Sequence, residues 1–561
     1  MHPIGTTISV ARVNRGIDQL SERKARGAFF TPDAIAQFIA HWAVSSATCK
    51  VLEPSCGEAA FLLAAAQELS MKGSKLGDPE QLNGIDVHSA SAEAARELLS
   101  SVGAKATIKA GDFFLEEPDQ SFDAVIGNPP FIRYQEFTGE VRARSLEAAL
   151  AQGVRLSGLA SSWAAFTVHA SCFVRPGGRL GLVLPAELLT VGYAAEVRRF
   201  LLKRFGNVRL VVFEQRVFPE VLEDTILLLA EGTGPASHFE VYQAKNADDL
   251  NAPSIKAWTD HRPDASERWS PALLDAGAYH AFEEVVGGAN IARLASWGSA
   301  YLGAVTGDNS FFCLTAKQVA ELELSETEVR PISPPGSRHL RGVMFSNAAW
   351  ESLVEEGRRA YLFYPASEPS DAAWKYIHEG EAREVNKAYK CKVRSPWWRV
   401  PLIKRPNFIV TYMNSEHMRF VRNEANVDVL NSVYGFETKT GIHARARDLL
   451  PLALLNSVTR LSAELCGRVH GGGMLKHEPR GLDELWVPSE ACVLNAQDAL
   501  SALRPQIGRL LRKNDIDAVT HLVDETLLIG EAAFSREALS IIGGARAKLV
   551  RRRMTLGGSQ S

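Results

Sequence analysis

No two of the seven cysteines stand at CxxC spacing. Cys49, Cys56, Cys172, Cys313, Cys391, Cys466 and Cys492 are scattered along the chain, which argues against a zinc site and against a disulfide framework. A reducing cytoplasm is the expected compartment. No run of about 20 apolar residues is present and the N-terminus carries no apolar stretch of signal length, so neither a membrane span nor a secretory leader is expected. Charge of one sign is not in excess either. With 62 basic and 65 acidic residues, net −3, the chain cannot coat a polyanion by overall charge. An internal repeat of about 20 to 50 residues, the mark of a solenoid, is also missing.

What is there is a globular composition, 46% hydrophobic and 23% charged over 561 residues, more than one hydrophobic core accommodates. From Lys50 to about Glu231 short apolar runs alternate with helical patterns. Seven strands are expected at Lys50–Pro54, Gly84–Val87, Ala106–Ala110, Ala124–Ile126, Leu180–Leu184, Leu210–Phe213 and Thr225–Leu229. Several are rich in Val, Ile and Leu without alternation, as befits strands covered on both faces. Helices are expected between them, at Glu58–Ser70, Ser89–Ser100, Trp163–Phe173 and Gly192–Phe205. The pattern predicts an α/β fold with a doubly wound, mostly parallel sheet. After residue 240 the rhythm fails. Residues 244–270 read as a connection, a Trp-, Gly- and Pro-rich mixed α+β region follows, and from about Leu494 the pattern turns helical, with a Gly-Ser tail. The expected domains are 1–245, a linker over 246–285, a second domain over 286–490 and a helical segment with a disordered tail over 491–561.

Four sites stand at expected strand ends, where open α/β sheets place their ligands. In Val51-Leu52-Glu53-Pro54-Ser55-Cys56-Gly57-Glu58 a strand gives way to small residues that let a ligand approach the backbone. Asp86, in Asn83-Gly84-Ile85-Asp86-Val87, can accept from two ribose hydroxyls or cap a helix. In Gly111-Asp112-Phe113-Phe114, Asp112 can accept from an adenine amino group while Phe113 covers the ring, or the segment is a capped turn over two core phenylalanines. The fourth follows the buried strand Phe122–Gly127 at once: Asn128-Pro129-Pro130-Phe131. Consecutive prolines stiffen a loop and remove two backbone donors. An amino group on an aromatic base is a weak nucleophile because its lone pair is delocalised. The Asn128 side-chain oxygen and the Pro129 carbonyl, both accepting from it, would localise that pair, while Phe131 offers a stacking face worth about 1–3 kcal/mol. That is comparable with the few kcal/mol needed to extrude a base.

Glu53-Pro54-Ser55-Cys56-Gly57, Asp86, Asp112-Phe113 and Asn128-Pro129-Pro130-Phe131, in this order, resemble the γ-class, TaqI-like N6-adenine DNA methyltransferases of restriction–modification type. Gly27-Ala28-Phe29-Phe30-Thr31-Pro32 and Val217-Phe218-Pro219 resemble further motifs of that family. The resemblance implies a seven-stranded S-adenosylmethionine-dependent methyltransferase sheet with a DNA target-recognition domain over 286–490. It implies that Thr31, Glu53, Pro54, Ser55, Cys56, Gly57, Asp86, Asp112, Phe113 and Pro130 bind the cofactor, S-adenosylmethionine. Asn128, Pro129, Pro130 and Phe131 would be catalytic, and Phe131 and Phe218 would sandwich a flipped adenine. Two departures are mild: Phe131 stands where many relatives have Tyr, and position 86 is Asp where Glu is also used. Gly303–Asn309, Pro396–Pro401 and Gly471–Lys476 resemble target-recognition segments.

Between Arg383 and Arg422 ten basic residues meet only two acids, Glu384 and Glu416. With the tryptophans inside it, this run points to a nucleic-acid surface, and Lys390, Lys392, Arg394, Trp397, Trp398, Arg399, Lys404, Arg405 and Lys476 are the expected DNA contacts. The expected partner is double-stranded DNA, bound as a monomer in a prokaryotic cytoplasm at the nucleoid, with a cognate restriction endonuclease acting separately. No metal and no membrane are expected. The same loop also serves enzymes acting on cytosine N4, RNA guanine N2 or a protein glutamine. A protein-glutamine enzyme has no evident need for about 300 more residues, and cytosine N4 enzymes usually carry Ser or Thr where Asn128 stands. The 26 residues before Gly27 are expected to be too few for a fused nuclease. An intact Asn128–Phe131 loop argues against an inactive DNA-binding module.

Overall fold

The computed structural model describes residues 31–218, 224–251, 258–263 and 268–557. Gly27–Phe30, Pro219 and the tail 558–561 lie outside them. The chain divides into two compact units, one of residues 1–188 and 193–262 and the other of residues 189–192 and 263–561. The division falls inside the stretch expected as a linker, and both sides of it are built into a unit. Thr259–His261 is a strand of the first, and a helix over Ala276–Val286 belongs to the core of the second.

The first unit is a nine-stranded sheet. All seven expected strands are present: β1 (Val51–Glu53), β2 (Leu82–Asp86), β3 (Thr107–Ala110), β4 (Phe122–Gly127), β5 (Val174–Pro185), β6 (Asn207–Phe213) and β7 (Thr225–Glu231). Beyond the expected seven, β8 (Phe239–Ala244) and β9 (Thr259–His261) extend the far edge, giving the order β3-β2-β1-β4-β5-β7-β6-β8-β9. β1 pairs in parallel with both β2 and β4, and β4 with β5, whereas β7 runs antiparallel between β5 and β6. Leu180, Leu182, Val183, Leu184 and Ile226–Leu228 are fully buried, as continuous apolar strands between helical layers must be. Helices α1 (Asp33–Ala43), α2 (Ala60–Met71), α3 (Ser89–Ser101), α4 (Gly139–Ala151), α5 (Ser162–Ser171) and α6 (Ala195–Arg204) accompany the sheet. Every residue of α5 is buried, so its polar groups are satisfied inside: Thr167 Oγ1 donates to the Trp163 carbonyl at 2.8 Å and Ser171 Oγ to that of Thr167 at 2.7 Å.

The second unit packs α7 (Ala276–Val286), α8 (Ala444–Ala453), α9 (Ser457–Cys466), α10 (Gln497–Arg512), α11 (Ile516–Val523) and α12 (Arg536–Gly557) around one core. The helical segment expected to stand apart from residue 491 is thus part of that core: Leu500, Ile507, Val519, Val523 and Ile542 are completely buried in it together with Leu449, Leu450 and Leu461. A five-stranded sheet shares the unit, with β10 (Gly298–Leu302), β11 (Met344–Phe345), β12 (Phe408–Val410), β13 (Phe420–Asn423) and β14 (Tyr434–Thr438) in the order β10-β14-β12-β13-β11. Among the described residues no helix is long and apolar enough to cross a membrane.

Candidate active site

The strand order reverses at β1, whose two neighbours are β2 and β4, and the loops beyond the carboxyl ends of the parallel strands converge there. Four adjacent strands, β3, β2, β1 and β4, end respectively in Asp112, Asp86, the Pro54–Ala59 turn and Asn128–Phe131. The structure therefore brings the four motifs to one edge of one sheet.

The turn after β1 is bound to the end of β2. Asp86 accepts from the Gly57 amide at 2.9 Å and from the His88 amide at 2.9 Å, and the Cys56 amide donates to the Ile85 carbonyl at 2.9 Å. Gly57 sits at φ +48°, and nothing lies within 4 Å of where its side chain would begin, so the turn faces open space. Gly84 is tight instead: a Cβ would come within 2.7 Å of Ile108 Cδ1 and 3.1 Å of Cys56 Sγ. Glu53 is 2% exposed and accepts from the Leu62 amide at 3.0 Å, holding the start of α2. Burial drives its carboxyl well above the usual range, against the pull of the Leu62 and Phe61 amides. Burial likewise raises the Cys56 thiol, leaving it an inert packing group.

Asp112 caps the short turn Phe113–Leu115, accepting from the Phe114 amide at 3.0 Å, and meets Arg144 at 3.3 Å. Phe113 is 4% exposed and sits among Phe166 and Phe173, with ring centroids 5.0 Å from each, and edge-on to His169 at 4.6 Å. Asp112 thus caps a turn whose Phe113 packs in the core, while Phe114 is half-buried. Burial lowers the pKa of His169, which keeps that ring neutral, and its Nε2 meets the Phe113 carbonyl at 3.1 Å.

Asn128 is held from two sides. Its backbone carbonyl accepts from Ser55 Oγ at 3.2 Å, tying the loop after β4 to the turn after β1, and its Nδ2 donates to Thr31 Oγ1 at 3.3 Å. Its Oδ1 is buried and has no hydrogen-bond partner among the described residues. A buried carbonyl oxygen without a donor costs about 1–3 kcal/mol, so this atom is an acceptor waiting for a donor. Pro129 and Phe131 are buried. Phe218 is 3% exposed.

Ser162, which sequence reasoning passed over, holds the loop beyond. Its Oγ donates to the Pro130 carbonyl and accepts from the Ile132 amide at 2.9 Å, and its own amide donates to the Ile132 carbonyl at 3.0 Å. Its only sequence signal is its place in Ser161-Ser162 before an apolar helix, a cap-like pattern. Ser162→Ala leaves the Ile132 amide and Pro130 carbonyl without their partner and should lower stability by about 1–3 kcal/mol. Urea unfolding reads this directly, and an unchanged midpoint would show that the clamp contributes nothing.

In the second unit the basic run does not form one open strip. Arg394 donates to the Thr306 carbonyl at 2.7 Å and to that of Val305, joining the Gly303–Asn309 and Pro396–Pro401 neighbourhoods. Trp397 packs at 5.5 Å from Phe311, and Trp398 at 5.2 Å from Trp374. Arg399 lies over Tyr364, Arg405 pairs with Asp428 at 3.3 Å, Lys404 with Glu437 at 2.5 Å and Lys476 with Glu478 at 2.8 Å. Each of these residues has a partner within the unit. Lys390 and Lys392 differ: both are exposed on the short helix Tyr389–Lys392, beside Tyr389, which is 75% exposed.

Fold and site together define an α/β methyltransferase domain of the S-adenosylmethionine-dependent kind, followed by a second, mixed unit. Residues 18–251 match the family N-6 DNA Methylase, and residues 266–528 match the Type II methyltransferase M.Eco57I C-terminal domain. The chain is similar to the Type II methyltransferase M.AccI of Acinetobacter calcoaceticus, 22% identical over 83% of this chain and 86% of that one. It is also similar to M.XamI of Xanthomonas campestris pv. amaranthicola, 23% identical over 84% and 87% of the two chains. The Type IIL restriction–modification enzyme MmeI, solved in complex with DNA, shares the fold with a TM-score of 0.53 at 12% identity, over 93% of this chain and 75% of that one. Together the two family matches and the two relatives support an N6 DNA methyltransferase of restriction–modification type.

Proposed function

We propose that this protein methylates the N6 amino group of adenine at a specific site in duplex DNA, with S-adenosylmethionine as donor and by the γ-class arrangement. The observation that carries the reading is the buried Oδ1 of Asn128 at the end of β4, which has no partner among the described residues. Thr31 fixes the other end of the same amide, so the oxygen is presented rather than free to turn away.

The residues present fit the cofactor. The Gly57 turn leaves room for it, Asp86 stands at the tip of β2 where ribose hydroxyls would lie, and Glu53 lies buried at the end of β1. When bound, S-adenosylmethionine supplies a sulfonium methyl. Asn128 Oδ1 and the Pro129 carbonyl accept from the two N–H bonds of the amine, which localises its lone pair towards that methyl. Transfer of that methyl would acidify the nitrogen, whose surplus proton would then pass to solvent, so these residues need supply no strong base. Phe131 supplies a stacking face for the extruded base, with Phe218 on its other side. Phe131→Ala should weaken extrusion more than DNA binding. A 2-aminopurine at the target position would lose most of its enhanced fluorescence while the DNA-binding isotherm stays close to wild type; an undiminished signal would remove Phe131 from this role.

DNA as substrate draws support from the two Type II methyltransferase relatives and from the DNA complex of MmeI. Lys390 and Lys392 are the contacts we place on the phosphate backbone, because they combine exposure with an exposed aromatic neighbour. In the double substitution Lys390→Glu and Lys392→Glu, the slope of log affinity against log salt should become shallower by about 2, one unit per lost phosphate contact. An unaltered slope would move the DNA surface elsewhere. Cytosine N4 remains the alternative the same loop chemistry allows. Long-read sequencing of DNA from cells expressing the protein decides between them, since it reports the modified base and its sequence context. A cognate endonuclease acting separately, and action as a monomer, complete the proposal.

A further inference from the structure

Three polar side chains that the proposed chemistry does not use form a hydrogen-bonded cluster at the sheet edge that carries the Asn128–Phe131 loop. β5 lies beside β4 and ends at Pro185, and Glu187 stands in the turn that follows. The Tyr193 hydroxyl donates to Glu187 Oε2 at 2.6 Å. Trp163, 1% exposed, aims its Nε1 at the same pair, donating to the Tyr193 oxygen at 3.2 Å and to Glu187 Oε2 at 3.4 Å. The Trp163 and Tyr193 rings lie 5.9 Å apart at 44°. Burial, with Glu187 beside it, raises the pKa of Tyr193, so its hydroxyl keeps its proton and remains a donor. Arg198, 1% exposed, donates to the Leu188 carbonyl at 2.7 Å and so fixes the turn that carries Glu187.

A buried indole N–H needs an acceptor, and a backbone carbonyl would serve. Here two side chains from the far side of β5 supply it, and what they hold is the first turn of α5. Trp163 follows Ser162 directly, and Ser162 binds the Pro130 carbonyl and the Ile132 amide, the backbone groups on either side of Phe131. Fixing the Trp163 ring therefore fixes where Ser162 stands, and through it the backbone from which the Phe131 ring projects. Resting on the reading of Phe131 as the stacking face of the extruded base, we infer that Glu187 and Tyr193 are positioning residues for Phe131, acting through Trp163 and Ser162. Their part is to hold that face in one place, since a displacement on the order of 1 Å can cost about 10²-fold in rate.

The test uses the full-length protein and duplexes carrying its methylation site, with 2-aminopurine at the target position for fluorescence and adenine there for single-turnover methyl transfer. Tyr193→Phe keeps the ring and removes the donor. It should cut the fluorescence enhancement and the transfer rate by about 5–20-fold, while DNA and cofactor affinities stay within about twofold. Glu187→Ala, which leaves both rings in place, should show the same selective loss, and Glu187→Gln, which keeps an oxygen acceptor, should recover most of it. Adding Tyr193→Phe to Ser162→Ala should lower the rate by no more than about twofold further, because the link it acts through is already cut. Wild-type rates in both Tyr193→Phe and Glu187→Ala, or losses that multiply in the double variant, would overturn the inference. A wild-type protein that methylated cytosine, or no base, would overturn instead the reading on which it rests.

Discussion

Asn128→Ala is expected to lower the rate of methyl transfer by about 10²–10³-fold, the range seen when one preorganised polar group is removed from a reacting centre, while cofactor affinity stays within about threefold. The two halves of this expectation come from different atoms. On the proposed reading the rate depends on Oδ1, which is buried, lacks a donor among the described residues and is aimed by the bond from Nδ2 to Thr31. On the same reading cofactor affinity rests mainly on the turn after β1 and on Asp86, which are held by bonds that do not pass through the Asn128 side chain: Asp86 to the Gly57 and His88 amides, and the Cys56 amide to Ile85; of the expected cofactor residues, Thr31 is the one that meets that side chain. Ser55 touches Asn128 only at its backbone carbonyl, which alanine retains. Single-turnover transfer of labelled methyl to cognate DNA measures the first half and calorimetric titration with the cofactor the second. If cofactor binding collapsed along with the rate, Asn128 would be a structural tie between two loops and not the acceptor that activates the amine.

How much of this was legible in the residues differs by element. Strands buried on both faces were plain, because Leu-Val-Leu in β5 and Leu-Leu-Leu in β7 have no polar alternation to mislead. β8 was missed since Phe239 and Val241 alternate with half-exposed Glu240 and Tyr242. β9, Thr-Asp-His, was missed because an edge strand needs only backbone bonds to its neighbour and leaves no apolar trace. The Asn128–Phe131 loop was legible because its stiffness and its chemistry are both local. Phe113 was not: whether a phenylalanine after a strand faces a ligand or a core is decided by Phe166, His169 and Phe173, which come more than 50 residues later. The internal partners of the basic run were hidden for a similar reason. Its charges are visible in sequence, but Glu437, Asp428 and the Val305 and Thr306 carbonyls that engage them are distant. Ser162 carries no mark that distinguishes it from Ser161, and only the meeting of α5 with the loop after β4 gives it a role.

Arg553→Ala should destabilise the second unit by about 3–5 kcal/mol, the cost of leaving one member of a buried ion pair alone. Arg553 and Glu464 side chains are only 3% and 5% exposed, and the guanidinium makes two bonds to the carboxylate. It also donates to the carbonyls of Gly473 at 2.5 Å and Ser415 at 2.8 Å, so one side chain fastens α12 to α9, to the Gly471–Gly473 turn and to the loop after β12. Gly473 is committed to that contact: at φ +69°, an added Cβ would stand 2.9 Å from Met554 Sδ and 3.0 Å from the Arg553 carbonyl. The prediction separates the cost of an orphaned charge from the worth of the pair. In the double substitution Arg553→Met and Glu464→Met neither charge remains to be desolvated, so most of the lost stability should return, as replacement of buried ion pairs by apolar side chains often shows. Urea unfolding of the three proteins reads both steps. A single variant as stable as the wild type would mean that water reaches Glu464 once the arginine is gone; a double variant as weak as the single would place the energy in the two carbonyl contacts instead of the ion pair.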